Sequence, residues 1–97
     1  MHVVIKHPLS RAEAINRVKK ALVEARVRAQ GHVNDLEDRW EGDALHFSFN
    51  LQGKKIDGSL EVRDQEFELN AKLPLLWRMF EGKIEKMIEE QAKQFIS

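Results

Sequence analysis

The sequence predicts an α+β domain of order β-α-β-β-β-β-α: a five-stranded, mainly antiparallel sheet with both helices on one face. Three observations lead there. Both ends of the chain carry long segments with apolar residues at helical spacing. Between them lie runs in which apolar and polar residues alternate, the period of a half-buried strand. Short turn clusters separate these runs, which favours antiparallel neighbours.

His2–His7 (HVVIKH) reads as a strand, with Val3 and Ile5 on one face, Val4 on the other, and Pro8 ending it. Ser10 then caps a helix. Ser10-Arg-Ala-Glu13 fits a capping box, in which hydroxyl and carboxylate each accept a backbone N–H. Ile15, Val18, Leu22, Ala25 and Ala29 form the apolar stripe, Arg17, Lys20 and Arg28 point away, and Gly31 stops the helix as a left-handed cap. Because the stripe tapers to alanine, that end should sit closer to the sheet. Val33–Glu41 is a weaker strand: Leu36 and Trp40 are in phase, but Asp38 between them marks an edge or a bend.

Gly42-Asp43 turns the chain into Ala44–Gln52, the clearest strand, where Leu45, Phe47, Phe49 and Leu51 form a buried face. Gly53-Lys54 turns it again. Ile56, Gly58, Leu60 and Val62 continue that face, with Gly58 either a bulge or a clearing beneath a bulky helix residue. After Arg63-Asp64-Gln65, Phe67, Leu69, Ala71 and Leu73 form the fifth strand's inner face. The first strand should join beside the fifth, since the first helix must cross back over the sheet.

Leu73–Ser97 is expected to be one long helix entered through Pro74, whose missing N–H is harmless in a first turn. From Leu75 it would span about 35 Å at about 1.5 Å per residue. Leu76, Trp77, Phe80, Ile84, Met87, Ile88, Gln91 and Phe95 fall on one face about 120° wide, which should cover the sheet. Leu75, Met79 and Gly82 fall on the opposite flank, beside Arg78 and Lys86. A glycine mid-helix costs about 1 kcal/mol relative to alanine, which suggests that something packs close to Gly82. Leu75, Arg78, Met79, Gly82 and Lys86 are therefore the candidate partner-binding residues, against the plainer reading of a local kink.

At 97 residues the chain makes one domain, residues 1–97, with 42% hydrophobic and 33% charged residues. It has no cysteine, which excludes disulfides and thiolate chemistry and fits a reducing compartment. No apolar run approaches the roughly 20 residues of a membrane span, and the start lacks the pattern of a signal peptide. A cytoplasmic location is expected. Net charge is zero but uneven: +5 over residues 1–32, −6 over 33–70 and +1 over 71–97. Such a dipole can orient a partner or a second copy, and it lacks the unopposed basic face that nucleic acid binding needs.

No catalytic constellation is present. His2, His7, His32 and His46 lack metal-ligand spacing. His32 follows Gly31, where a cation meets the negative helix end; His46 lies on the polar sheet face near carboxylates. Glu61, Glu66 and Glu68 sit on neighbouring strands, but an open face would not raise a pKa as acid catalysis requires. There is no phosphate loop or nucleophile elbow. Trp40 and Trp77 are in phase with apolar stripes and read as core rather than as ligand platforms. The reading is non-enzymatic, with no cofactor and no metal.

Three stretches carry a resemblance: HVVIKHPLSRAEAINRV at the start, LHFSFNLQGKKIDGSLEV in the middle and LNAKLPLLWRMFEGKIEKMIEE at the end. Together they resemble the polyhydroxyalkanoic acid system protein family, most specifically at Lys6–Ser10 and Leu73–Glu85. The resemblance implies a link to polyhydroxyalkanoate granules or their metabolism and implies no reaction or catalytic residue. The expected function is an accessory protein that meets a granule surface or a granule-associated protein through the C-terminal helix. Two alternatives stand beside it. The element order is similar to a shortened helix-grip domain, which would hold an apolar ligand between Phe47, Phe49, Phe67 and the helices. The chain could also be a structural homodimer.

Overall fold

The computed structural model describes residues 1–28 and 33–96. The strands are β1 (His2–Lys6), β2 (Val33–Glu41), β3 (Ala44–Leu51), β4 (Lys54–Arg63) and β5 (Glu66–Lys72). The helices are α1 (Arg11–Arg28) and α2 (Glu81–Ile96), with a 3-10 helix, Leu75–Phe80, leading into α2. The sheet order is β1-β5-β4-β3-β2 and every neighbouring pair is antiparallel. The meander and the place of β1 beside β5 follow from the connection lengths, as expected.

Val3 and Ile5 of β1, Phe67 of β5 and Val62 of β4 share one face, and Ala14 of α1 is buried against them. Ile88, Ala92 and Ile96 of α2 reach the same cluster, so both helices lie on one face. The cover is lopsided. Since α1 packs on β4 and α2 on β1, the inner face of β3 is left at the margin. Leu45 is buried, but Phe47, Phe49 and Leu51 are only half-buried, a correction to the strand reading. The α1 stripe is corrected too. Ala14 is its most buried residue, while Ala25 is exposed together with Val23 and Val27, so the described end of the helix does not press into the sheet. Ala29, Gly31 and His32, with the expected cap, lie outside the described residues.

Two local expectations about glycine and turns change. The β3–β4 hairpin turns on Gln52 and Gly53, at φ 52° and 76°, the paired positive angles of a turn that matches sheet twist. Gly58 is not a bulge: it pairs in register with Phe47 and Ala71. What crosses it is Phe47 from the neighbouring strand, not a helix residue. A Cβ at Gly58 would lie 2.5 Å from the Phe47 ring and 2.7 Å from the Asn70 carbonyl oxygen. The irregularity sits in β2 instead, where the register shifts between Asn34 and Glu37 and Asp35 adopts φ 55°.

The largest correction is that the C-terminal segment is not one helix. Six residues of 3-10 geometry precede α2. At about 120° per residue rather than 100°, they rotate the apolar pattern by roughly a third of a turn. Ile84 and Ile88 still face inward, but Ala92 and Ile96 join them in place of Gln91. Leu76, Phe80 and Met87, expected beneath the sheet, are exposed.

The outer face of the sheet is polar and tied by ion pairs. Arg63 donates to Glu61 and Glu68, each at 2.9 Å, and to Glu66 at 3.4 Å. Lys6 reaches Glu66 at 2.8 Å and His2 reaches Glu68 at 2.9 Å. The hydrogen bond from Lys6 holds the Glu66 carboxyl below its ordinary range. Hydrogen bonds from His2 and Arg63 do the same for Glu68.

Two predictions arise. Gly58→Ala should lower the urea unfolding midpoint by the equivalent of about 1–3 kcal/mol, because the backbone oxygen of Asn70 cannot yield as a side-chain tip could. The second concerns acid. A carboxylate with a depressed folded-state pKa stabilises the fold above its unfolded value and loses that contribution as pH falls through the folded value. Arg63→Gln should therefore unfold at lower urea than the parent at pH 7, and the two curves should converge as Glu66 and Glu68 protonate below about pH 4. A gap that persists at pH 2.5 would show that the role of Arg63 lies in packing.

Candidate functional site

Leu73 is buried and anchors the end of β5. Pro74, at φ −55° and ψ 148°, then turns the chain out of the sheet, and Trp77 N–H donates to the Pro74 carbonyl at 2.9 Å. That bond closes the first turn of the 3-10 helix. With three residues per turn, side chains at i and i+3 stack in columns: Leu75 with Arg78, Leu76 with Met79, Trp77 with Phe80. Trp77 is half-buried. The others project outward, with Leu75 77% exposed, Leu76 65%, Met79 83% and Phe80 55%. Met87, one turn into α2, is 58% exposed. The result is an apolar ridge built from adjacent residues.

The five candidate residues divide on inspection. Leu75, Arg78, Met79, Gly82 and Lys86 are all exposed on this segment and its continuation. Leu75 and Met79 do not stack on one another, since α-helical spacing does not apply where they sit. Among the described residues nothing lies within 4 Å of where a Gly82 Cβ would be, so no close packing there accounts for it. Leu76, Phe80 and Met87 belong to the ridge and were missed. The available signal was the density of apolar residues in Leu73–Phe80: six large ones in eight positions cannot all face one way.

Two hollows adjoin the ridge. One, of about 760 Å³, lies over the polar sheet face, where His46, Ser59, Asn70 and His2 form a cross-strand row. Arg78 and Glu81 overhang it from the C-terminal segment. Glu81 pairs with the Met1 amino group at 3.0 Å, which also donates to the Ala71 carbonyl at 2.9 Å. The second, of about 380 Å³, is lined by Gly53, Lys54, Lys55, Asp57, Lys72, Leu73 and Pro74. Neither hollow is lined by Phe47, Phe49 or Phe67. Phe67 is buried in the core and Phe47 covers Gly58, while Phe49 is half-buried.

The remaining polar candidates have structural partners. His46 lies 3.4 Å from Glu41. Glu66 and Glu68 are held ionised by the cations around them, the opposite of what a general acid needs. Trp40 packs at the margin of the core, with the Lys19 amino group 5.5 Å from its ring centroid. His7 was not singled out by the sequence and is buried: its Nδ1 accepts from the Leu9 N–H at 3.1 Å and its ring lies 4.4 Å from that of Phe67. Among the described residues no cluster of three or more His, Asp or Glu is arranged to hold a metal ion. No helix among the described residues is long and apolar enough to cross a membrane.

No curated protein and no solved structure matches the chain. A family model does: the one described as "Putative polyhydroxyalkanoic acid system protein", over residues 1–96. With that match spanning both the β1–α1 start and the exposed C-terminal ridge, the chain belongs to the polyhydroxyalkanoic acid system protein family.

Proposed function

We propose that this chain is an accessory protein of the polyhydroxyalkanoate system that docks on the polyester granule surface through Leu75–Phe80 and the first turns of α2. Membership of a family described as polyhydroxyalkanoic acid system proteins supports the link to that system. The observation that carries the docking is the ridge itself: Leu75, Leu76, Met79 and Phe80 are consecutive or nearly so and all more than half exposed. A scattered exposed leucine needs no explanation, but a contiguous apolar patch does. At about 1.5–3 kcal/mol per fully buried side chain, scaled by their exposed fractions, the four offer roughly 4–8 kcal/mol on burial. Association costs of about 4–15 kcal/mol stand against that, so the ridge alone supports reversible docking rather than permanent anchoring.

Isolated granules test this by co-sedimentation. Leu75→Glu with Met79→Glu should abolish sedimentation while leaving the urea midpoint within about 0.5 kcal/mol, as exposed positions do. The matched control is Val23→Glu with Val27→Glu on α1, an equally exposed apolar pair elsewhere, which should sediment like the parent. If the ridge variant sediments unchanged, the reading fails. If the parent binds whole granules but not protein-free polyester particles, the partner is a granule-associated protein.

A further inference from the structure

The geometry points to a docking partner whose apolar surface carries anionic phospholipid headgroups, met by Lys54, Lys72 and Arg78 at the foot of the ridge. This rests on the docking proposed above and adds to it the chemistry of the surface.

The charges of this molecule are not equally satisfied. On the sheet and α1 some cations have a carboxylate: Lys6 with Glu66, Arg11 with Asp43, Arg26 with Asp38, Arg39 with Glu41, Lys55 with Asp57, Arg63 with three glutamates. Lys19, Lys20 and Arg28 of α1 form no ion pair among the described residues, but they lie away from the ridge. Lys72, Arg78, Lys83 and Lys86 form no ion pair among the described residues, and neither does Lys54. Two acids line the hollows beside the ridge: Asp57, which faces Lys72 across the sheet, and Glu81. Asp57 lines both hollows and pairs with Lys55 at 3.9 Å; Glu81 takes the amino terminus at 3.0 Å.

These cations are placed at the ridge, not merely near it in sequence. Lys54 and Lys72 line the same hollow as Pro74, the residue from which Leu75 projects. Arg78 stacks in the column of Leu75 and overhangs the other hollow, which Lys72 also lines. Exposed apolar side chains flanked by unpaired cations are the arrangement of an interfacial anchor: the apolar part enters the acyl boundary and the cations stay at headgroup level. A bare polyester surface would satisfy only the first half. Each cation held at an anionic lipid surface strengthens binding about fivefold, so three together should contribute about a hundredfold.

The test uses the full chain and three probes: protein-free polyester particles, phosphatidylcholine vesicles, and phosphatidylcholine vesicles containing phosphatidylglycerol. The parent should bind the anionic vesicles about a hundredfold more tightly than the neutral ones, and rising salt should erase that preference. Lys54→Gln, Lys72→Gln and Arg78→Gln combined should lose the preference yet still bind bare particles. The charge-keeping set Lys54→Arg, Lys72→Arg and Arg78→Lys should retain it, which separates charge from a folding defect. Equal binding of the parent to both vesicles, or a preference that survives in the glutamine variant, overturns the inference. Neither result touches the ridge, whose own test is the loss of bare-particle binding in the Leu75→Glu, Met79→Glu variant.

Discussion

One junction ties the two ends of the fold order together. The chain from β1 into α1 is stitched to the β4–β5 turn: His7 N–H donates to the Gln65 carbonyl at 3.0 Å, and Gln65 N–H donates back to the Leu9 carbonyl at 3.1 Å. Arg11 N–H, one of the unpaired donors at the start of α1, is met by the Asp64 carboxylate at 2.9 Å. The Ser10 hydroxyl accepts from the Glu13 N–H at 3.3 Å, so the helix start has a local cap and a distant one. Without this seam β1 would be a five-residue edge strand closing a loop of some sixty residues by its ladder alone. With it, α1 leaves the sheet at a fixed angle and Ala14 arrives over Val62 and Phe67.

His7 is the least comfortable member of that seam. Its Nδ1 accepts from Leu9, which requires the proton to sit on Nε2. Among the described residues Nε2 is buried without a partner, a cost of about 1–3 kcal/mol. The ring's contact with Phe67 and the seating of the Leu9 N–H are what offset it. The seam is therefore kept for geometry, and a small core, eight buried apolar side chains among the described residues, has to carry it.

What the sequence made legible follows from how local each cause is. Strand order and inner faces came from period-two alternation and short turns, which act over a few residues. Ser10-Arg-Ala-Glu13 is local in the same sense, and its serine half is present. The second cap, Asp64, was invisible because it comes from a turn 53 residues away. Gly58 was read as clearance for a helix, and the residue over it turned out to be Phe47, its partner across the sheet. At the candidate site, Leu75, Arg78, Met79 and Lys86 were found as exposed, but for a partly mistaken reason. The assumption of 3.6 residues per turn from Leu75 onward put Leu76 and Phe80 inside and left the ridge at half its size. The choice between 3-10 and α geometry at Pro74 depends on what lies beneath, and periodicity carries no information about that.

What lies beneath explains why the ridge is outside. At this end of the sheet Ile56 and Leu73 are buried and Phe47 lies across Gly58 beside Ala71, while Phe49 and Leu51 stay half-buried. Trp77 takes a half-buried place. A continuous α-helix would have to seat Leu76 and Phe80 against the same side chains as well, a demand on volume that packed side chains resist. A turn of 3-10 helix resolves the conflict by rotating those side chains into water, at the cost of poorer backbone hydrogen bonds and an exposed apolar surface. The same rotation sets Arg78 in the column of Leu75 and aims it over the hollow that Lys72 lines. Exclusion from the core and assembly of a cation-flanked ridge are thus one geometric event, fixed where Pro74 takes the chain out of β5.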